Sequence, residues 1–214
     1  MKNEKILGVV IPYYVNDQVC ISAFLGLMQK IKKQLTDEMI LIVIEDGQYS
    51  NWLDEYIKED NITVVRLSKN YGVSVARNIG INLLINDYDY ILFLDSDDVI
   101  SDDYLTYMLE ACRKHEYDVY ESQCRIGWEH VIPFREKVNR YGVVGSAISS
   151  KIIEYKRFDP NVQIAEDTEF MKSVVKLDKH TKGYVKEAIY YYQLGLNKKS
   201  LTMLHQRGLI SERR

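Results

Sequence analysis

The 214-residue sequence predicts an α/β protein, a Rossmann-like, mainly parallel sheet with helices on both faces. Three observations predict it. Residues 6–11, 39–44, 62–67 and 90–94 are short apolar runs without alternation, the pattern of strands covered on both faces. Segments with apolar residues at helical spacing lie between them. Two of the runs pass directly into acids, Glu45-Asp46 and Asp95-Ser96-Asp97-Asp98. Acids so placed lie at the carboxyl edge, where open α/β sheets bind ligands.

The first strand, residues 6–11, is closed by Pro12, which also restrains the residue before it. Ile21, Phe24, Leu25 and Met28 then form the stripe of a helix. After the second strand, Asn51 is placed to cap a short helix carrying Trp52, Leu53, Tyr56 and Ile57. The third strand leads through the tight turn Asn70-Tyr71-Gly72 into a helix with Ala76, Ile79, Gly80 and Leu83 on its stripe. The fourth strand is followed by Ser101-Asp102-Asp103, a capping sequence for a helix with Leu105, Met108, Leu109 and Cys112. The second half is less regular. Residues 118–122 read as a strand, 123–140 resist assignment, and 143–153 look helical. Glu166-Asp167 open a helix with Phe170, Val174 and Leu177 on one face, and residues 187–194 read as a last, Tyr-rich strand. A basic tail begins at Asn197. Without repeats or linkers the whole chain, 1–214, reads as one domain.

A net charge of −3 gives no nucleic-acid footprint. No apolar run approaches the roughly 20 residues that span a bilayer. Residues 1–5 lead straight into a strand, so no signal peptide is expected. Cys20, Cys112 and Cys124 show no metal or redox spacing and read as reduced. Together these suggest a cytoplasmic protein, with peripheral contact to the inner membrane surface through the basic tail left open. The 17 tyrosines fit ring-lined surfaces or compositional bias equally well.

Hard cations such as Mg²⁺ or Mn²⁺ are held by a few carboxylates together with phosphate oxygens and water. Asp95 and Asp97, one residue apart, can turn toward one such point, although a solvated turn would look the same. Glu166-Asp167 can equally be helix capping, because acids are favoured at a helix start. Arg77, taken alone, reads as a solvated residue.

The combination is more specific. Val9-Val10-Ile11-Pro12-Tyr13-Tyr14, Val43-Ile44-Glu45-Asp46-Gly47, Asn70-Tyr71-Gly72 through Ala76-Arg77-Asn78-Ile79-Gly80, Phe93-Leu94-Asp95-Ser96-Asp97-Asp98, Ala165-Glu166-Asp167 and Tyr190-Tyr191-Tyr192 occur in this order. They resemble the motifs of family-2 glycosyltransferases of the GT-A fold, and the resemblance is weakest between residues 123 and 161.

The resemblance implies a metal-dependent inverting transfer of a sugar from a nucleotide-diphosphate donor, most often a UDP-sugar, to an acceptor hydroxyl. It implies a hexosyl- or acetamidohexosyl-transferase of glycan or cell-surface polysaccharide synthesis, acting on a carbohydrate, lipid-linked or protein acceptor. Residues 1–115 would be the nucleotide-sugar half, 116–196 the acceptor side and 197–214 a basic tail. Pro12, Tyr13, Tyr14, Asp46, Arg77, Asp95 and Ser96 would line the nucleotide, Asp46 through the ring NH of the base. Asp97, with Asp95 and Asp98, would hold Mn²⁺ or Mg²⁺. Asp167 would be the catalytic base, with Glu166 second. Four departures stand out: Glu45 for aspartate, Gln48 for serine, Ala165 for glycine, and Gln193 for arginine. Lys198, Lys199, His205 or Arg207 are candidates to replace that last cation. Two other readings compete. One is a catalytically weak nucleotide-sugar-binding or scaffolding protein. The other, a sugar nucleotidyltransferase, is disfavoured because the loop 12–17 lacks Gly, Lys and Arg.

Overall fold

A computed structural model describes residues 4–14, 18–126, 130–132, 142–162, 165–174 and 180–193. Four strands, β1 (Leu7–Tyr13), β2 (Met39–Asp46), β3 (Ile62–Leu67) and β4 (Tyr90–Phe93), pair in parallel in the order β3-β2-β1-β4. The sheet then continues through β8 (Ser146–Ser149), β6 (Val119–Ile126), β9 (Lys182–Tyr192) and β5 (Val99–Ile100), with β7 (His130–Val131) on β6. β8 runs antiparallel between β4 and β6, while β6 and β9 are parallel. The carboxyl ends of β1, β2, β4, β6 and β9 therefore share one edge.

The helices are α1 (Gln18–Lys32), α2 (Val73–Leu84), α3 (Tyr104–Cys112), α4 (Ser150–Ile153) and α5 (Glu166–Val174), with a 3₁₀ helix at Asn51–Lys58. Side-chain alternation divides them between the faces. Val10 of β1 meets α2 so closely that a Cβ on Gly80 would lie 2.4 Å from it. Phe93 is in register with Val10, and its ring packs edge-on against Phe158 and Phe170 of α5. Tyr13 points the other way and stacks on Phe24 of α1 at 4.3 Å. Gln34, just beyond α1, accepts the backbone N–H of Leu105 at 2.8 Å and so joins α1 to α3. One face thus carries α2 and α5, the other α1 and α3.

Several expectations are corrected. Residues 143–153 are not one helix: 146–149 form β8, whose edges are satisfied by β4 and β6 on either side, and only 150–153 turn helical. The α1 core face is Cys20, Phe24, Leu27, Met28 and Ile31, while Ile21 and Leu25 lie at its margin. Leu83 is 48% exposed, because α2 lays Ala76, Gly80, Ile81 and Leu84 on the sheet instead. Asn51 begins a 3₁₀ helix, and Asp103 makes no side-chain cap. β6 and β9 are longer than expected because each is the other's partner over eight residues. Leu177 and the tail from Asn197 fall outside the described residues. All three cysteines are buried, and none forms a disulfide. Among the described residues no helix is long and apolar enough to cross a membrane.

Candidate active site

Asp46, at the end of β2, is buried and accepts the N–H of Tyr71 at 2.7 Å and of Gly72 at 2.8 Å, one on each oxygen. The next residue explains how the chains come so close. Gly47 has φ +80, and a Cβ there would lie 2.0 Å from the backbone nitrogen of Asn70. The Asp-Gly pair thus clamps the turn that feeds α2, which locks two motifs together. Asp46 was expected at the nucleobase; in this structure both its oxygens hold the loop.

Glu45 beside it is fully buried and bound through Oε2 to Arg66 Nε at 2.8 Å, while Oε1 has no partner among the described residues. Arg66 reaches on to Asp54 at 2.5 Å and lies across the Tyr49 ring. Tyr13, expected at the nucleoside, is instead a core side chain with 0% exposure, since its strand position points it toward Phe24 and Trp52. Burial pushes its hydroxyl up to about 12. Pro12 is partly buried and Tyr14, 42% exposed, is the ring presented at the edge.

Arg77, on the second turn of α2, is 2% exposed. Its Nη2 donates to Asp95 Oδ1 and its Nη1 to Glu166 Oε1, each at 2.8 Å, with the Phe158 ring beneath it at 5.3 Å. Burial disfavours its charge, but Asp95, Glu166 and Asp167 more than offset that, so the guanidinium stays ionised. Asn78, the next residue, donates to the Phe158 carbonyl and accepts the Phe158 N–H, both at 2.8 Å. Phe158 in turn stacks on Phe170 of α5 at 3.9 Å. One turn of α2 therefore sets where α5 begins.

The aspartates after β4 divide. Asp98 is 2% exposed; Tyr190 donates its hydroxyl to Oδ2 and Gln193 its backbone N–H to Oδ1 at 2.7 Å. Burial, then the charges of Asp95 and Asp97, push its carboxyl well above the usual range. Expected to assist with a metal, Asp98 is instead engaged inside the fold, tying the loop to the end of β9. Tyr190 also accepts the Asp95 N–H at 3.3 Å. Asp97 has no ion-pair partner among the described residues, and burial with the Asp95 charge pushes it up to about 6. Ser96 lies on the turn between them, partly buried.

At α5, Glu166 is committed to Arg77; burial raises its carboxyl despite that cation. Asp167 Oδ1 accepts the N–H of Thr168 at 2.7 Å, while Oδ2 faces Gly142, where a Cβ would lie 2.3 Å away. Ala165 before the pair has φ +60, which is why glycine suits this position. The structure thus gathers Asp95, Arg77, Glu166 and Asp167. The residues that sequence reading missed are Phe158 and Gly142, whose partners lie far away in the chain and leave no local pattern; Tyr190 stood in a motif, but its bond to Asp98 was not legible there.

No group of three or more metal-ligating side chains occurs among the described residues. What the edge offers is Asp97 and the second oxygen of Asp95. That set fits a Mg²⁺ or Mn²⁺ ion completed by phosphate oxygens and water, and not a self-contained protein site.

Comparison with known proteins accords with this geometry. The chain is 32% identical over 109 residues to the teichoic acid poly(glycerol phosphate) polymerase of Staphylococcus epidermidis, covering 49% of this chain and 14% of that protein. It is 31% identical over 119 residues to the succinoglycan biosynthesis protein ExoW of Rhizobium meliloti, covering 53% and 36%. The chain therefore spans well under half the length of these relatives. S. aureus TarS (residues 1–349) in complex with UDP-GlcNAc superposes with a TM-score of 0.72 at 17% identity, covering 88% of this chain and 58% of that one, which shows a shared GT-A fold. The family model "Glycosyl transferase family 2" matches residues 9–181, and the chain belongs to that family.

Proposed function

We propose that this chain transfers a hexosyl or acetamidohexosyl group from a UDP-sugar to an acceptor hydroxyl, with inversion, in the assembly of a glycan or cell-surface polymer. The observation that carries the reading is the Arg77 bridge, which joins the loop of the candidate metal carboxylates to the helix start bearing the candidate base. Complexes of TarS with UDP-GlcNAc and the polymer-building relatives support donor and pathway class.

Asp97 and the free oxygen of Asp95 would hold the divalent cation, which neutralises charge on the departing diphosphate. Arg77 keeps Asp95 turned to that position. Glu166 is occupied by Arg77, so the proton of the attacking hydroxyl goes to Asp167, whose Oδ2 makes no hydrogen bond among the described residues. Hydroxyl attack on the anomeric carbon from that side, with the diphosphate leaving on the other, inverts the configuration and needs no protein nucleophile. Pro12 and Tyr14, with the loop that Asp46 holds, would form the edge for the nucleoside.

Calorimetry across UDP-, GDP- and dTDP-sugars, with and without Mn²⁺, tests this. Tight binding of the UDP-sugar alone, removed by chelator, is expected. Equal binding without metal would sink the role given to Asp97.

A further inference from the structure

Arg125 lies on β6 in the stretch least like the family, and it stands apart from the other described arginines. Arg66, Arg77 and Arg113 each bond carboxylates, and Arg157 bonds Asn82 and backbone carbonyls. Arg125 has no carboxylate among the described residues. Its Nη2 donates to the neutral amide oxygen of Gln123 at 3.1 Å, its guanidinium lies 6.0 Å from the Tyr191 ring centroid, and its Nε is buried with no partner. A half-buried cation without a counter-charge is disfavoured unless something negative joins it.

Its position says what could. Tyr120 and Cys124 of β6 point to the α3 face, as the contacts of Tyr120 with Tyr90 and the register of Cys124 with Tyr190 show. By alternation Gln123 and Arg125 point to the opposite face, the one that carries α5 and Asp167. β6 is separated from β4 only by β8, about 10 Å across the sheet from the strand that leads to Asp95. A second buried, unpartnered donor, Gln193 Nε2, sits two residues beyond Tyr191, the residue in register with Arg125.

We infer that Arg125, with Gln193, is a binding site for an oxyanion, a phosphate or carboxylate, carried by the acceptor rather than by the nucleotide. The inference rests on the proposed sugar transfer for the word acceptor. Arginine is suited to it because its planar fork meets such groups with two hydrogen bonds.

The test is an NMR titration of the ¹⁵N-labelled full chain, following the Arg125 Nε–H signal, assigned by its loss in Arg125→Lys. Methyl phosphate and acetate are added in separate arms, each with and without saturating UDP and Mn²⁺. The expected result is a saturable shift with at least one anion that persists when UDP is bound and weakens about threefold in Gln193→Ala; in Arg125→Gln, followed through the Gln193 side-chain amide signals, anion affinity falls at least tenfold, with UDP affinity changed less than twofold. Whichever anion binds more tightly names the acceptor group. No shift with either anion overturns the inference, as does UDP itself producing the shift and blocking methyl phosphate, because the anion would then be the donor's. Failure of UDP to bind at all would instead count against the proposed function. Should Arg125→Gln not fold, the wild-type titration and the charge-keeping Arg125→Lys, read through the Gln193 side-chain amide signals, still decide.

Discussion

Arg77 Nη1 donates to Glu166 Oε1 at 2.8 Å, joining residues 89 positions apart, α2 to the first residue of α5. The same guanidinium holds Asp95, so one buried cation serves both sides of the candidate site. Removing it leaves two partly buried carboxylates uncompensated. Arg77→Met should lose about 3–5 kcal/mol of stability in urea unfolding, the usual cost of breaking a buried pair from one side. Arg77→Lys, which reaches one partner and not both, should fall between. A loss under about 1 kcal/mol in Arg77→Met would show that the bridge holds little.

Asp167→Asn keeps the Thr168 hydrogen bond but cannot take a proton. Turnover should drop about 10²- to 10⁴-fold, with UDP affinity unchanged. Near-normal turnover would remove Asp167 as base and pass the role to Glu166.

Asp97 and Asp98 should separate experimentally. Asp97→Asn is expected to abolish the metal dependence of UDP binding and leave the melting temperature in place. Asp98→Asn should do the reverse, since it weakens the bonds to Tyr190 and Gln193, and Tyr190→Phe should share that loss at about 1–3 kcal/mol. Scanning calorimetry beside UDP titrations reads both.

Ala165 sits at φ +60, where a Cβ costs about 1–2 kcal/mol. Glycine relieves that but loses about 0.5–1 kcal/mol to its greater freedom when unfolded. Ala165→Gly should therefore raise stability by up to about 1.5 kcal/mol, and Ala165→Val should lower it. Chemical denaturation of both variants checks the sign.

Tyr13 gives a pH prediction. Its hydroxyl titrates near 10 when unfolded and is pushed up to about 12 by burial. Between those values the folded chain holds the extra proton, so Tyr13's contribution is full below pH 10 and is lost as pH rises to about 12. Unfolding midpoints should fall across that window, and less steeply in Tyr13→Phe. Equal slopes would mean other buried tyrosines carry the alkaline loss.

Much of the first half was legible because its signals are local. Glu45-Asp46 and Asp95-Ser96-Asp97-Asp98 each follow an unbroken apolar run, and the Asn70–Gly80 spacing places Arg77 and Asn78 together one turn into a helix. The second half was not. β8 has no pattern of its own and exists because β4 and β6 flank it, so its residues read as helix. Tyr13 and Tyr14 look alike in sequence, yet strand alternation buries one against Phe24 and exposes the other.

The α/β class, the order of strands and helices in the first half, and which acids end which strands are all written in periodicity within single elements. It took the packed chain to show that Asp98 is bound into the fold while Asp97 has no ion-pair partner among the described residues, that Arg77 joins Asp95 to Glu166, and that Arg125 has no counter-charge among the described residues. Those facts depend on groups brought together from up to 95 positions apart, and no local pattern records them.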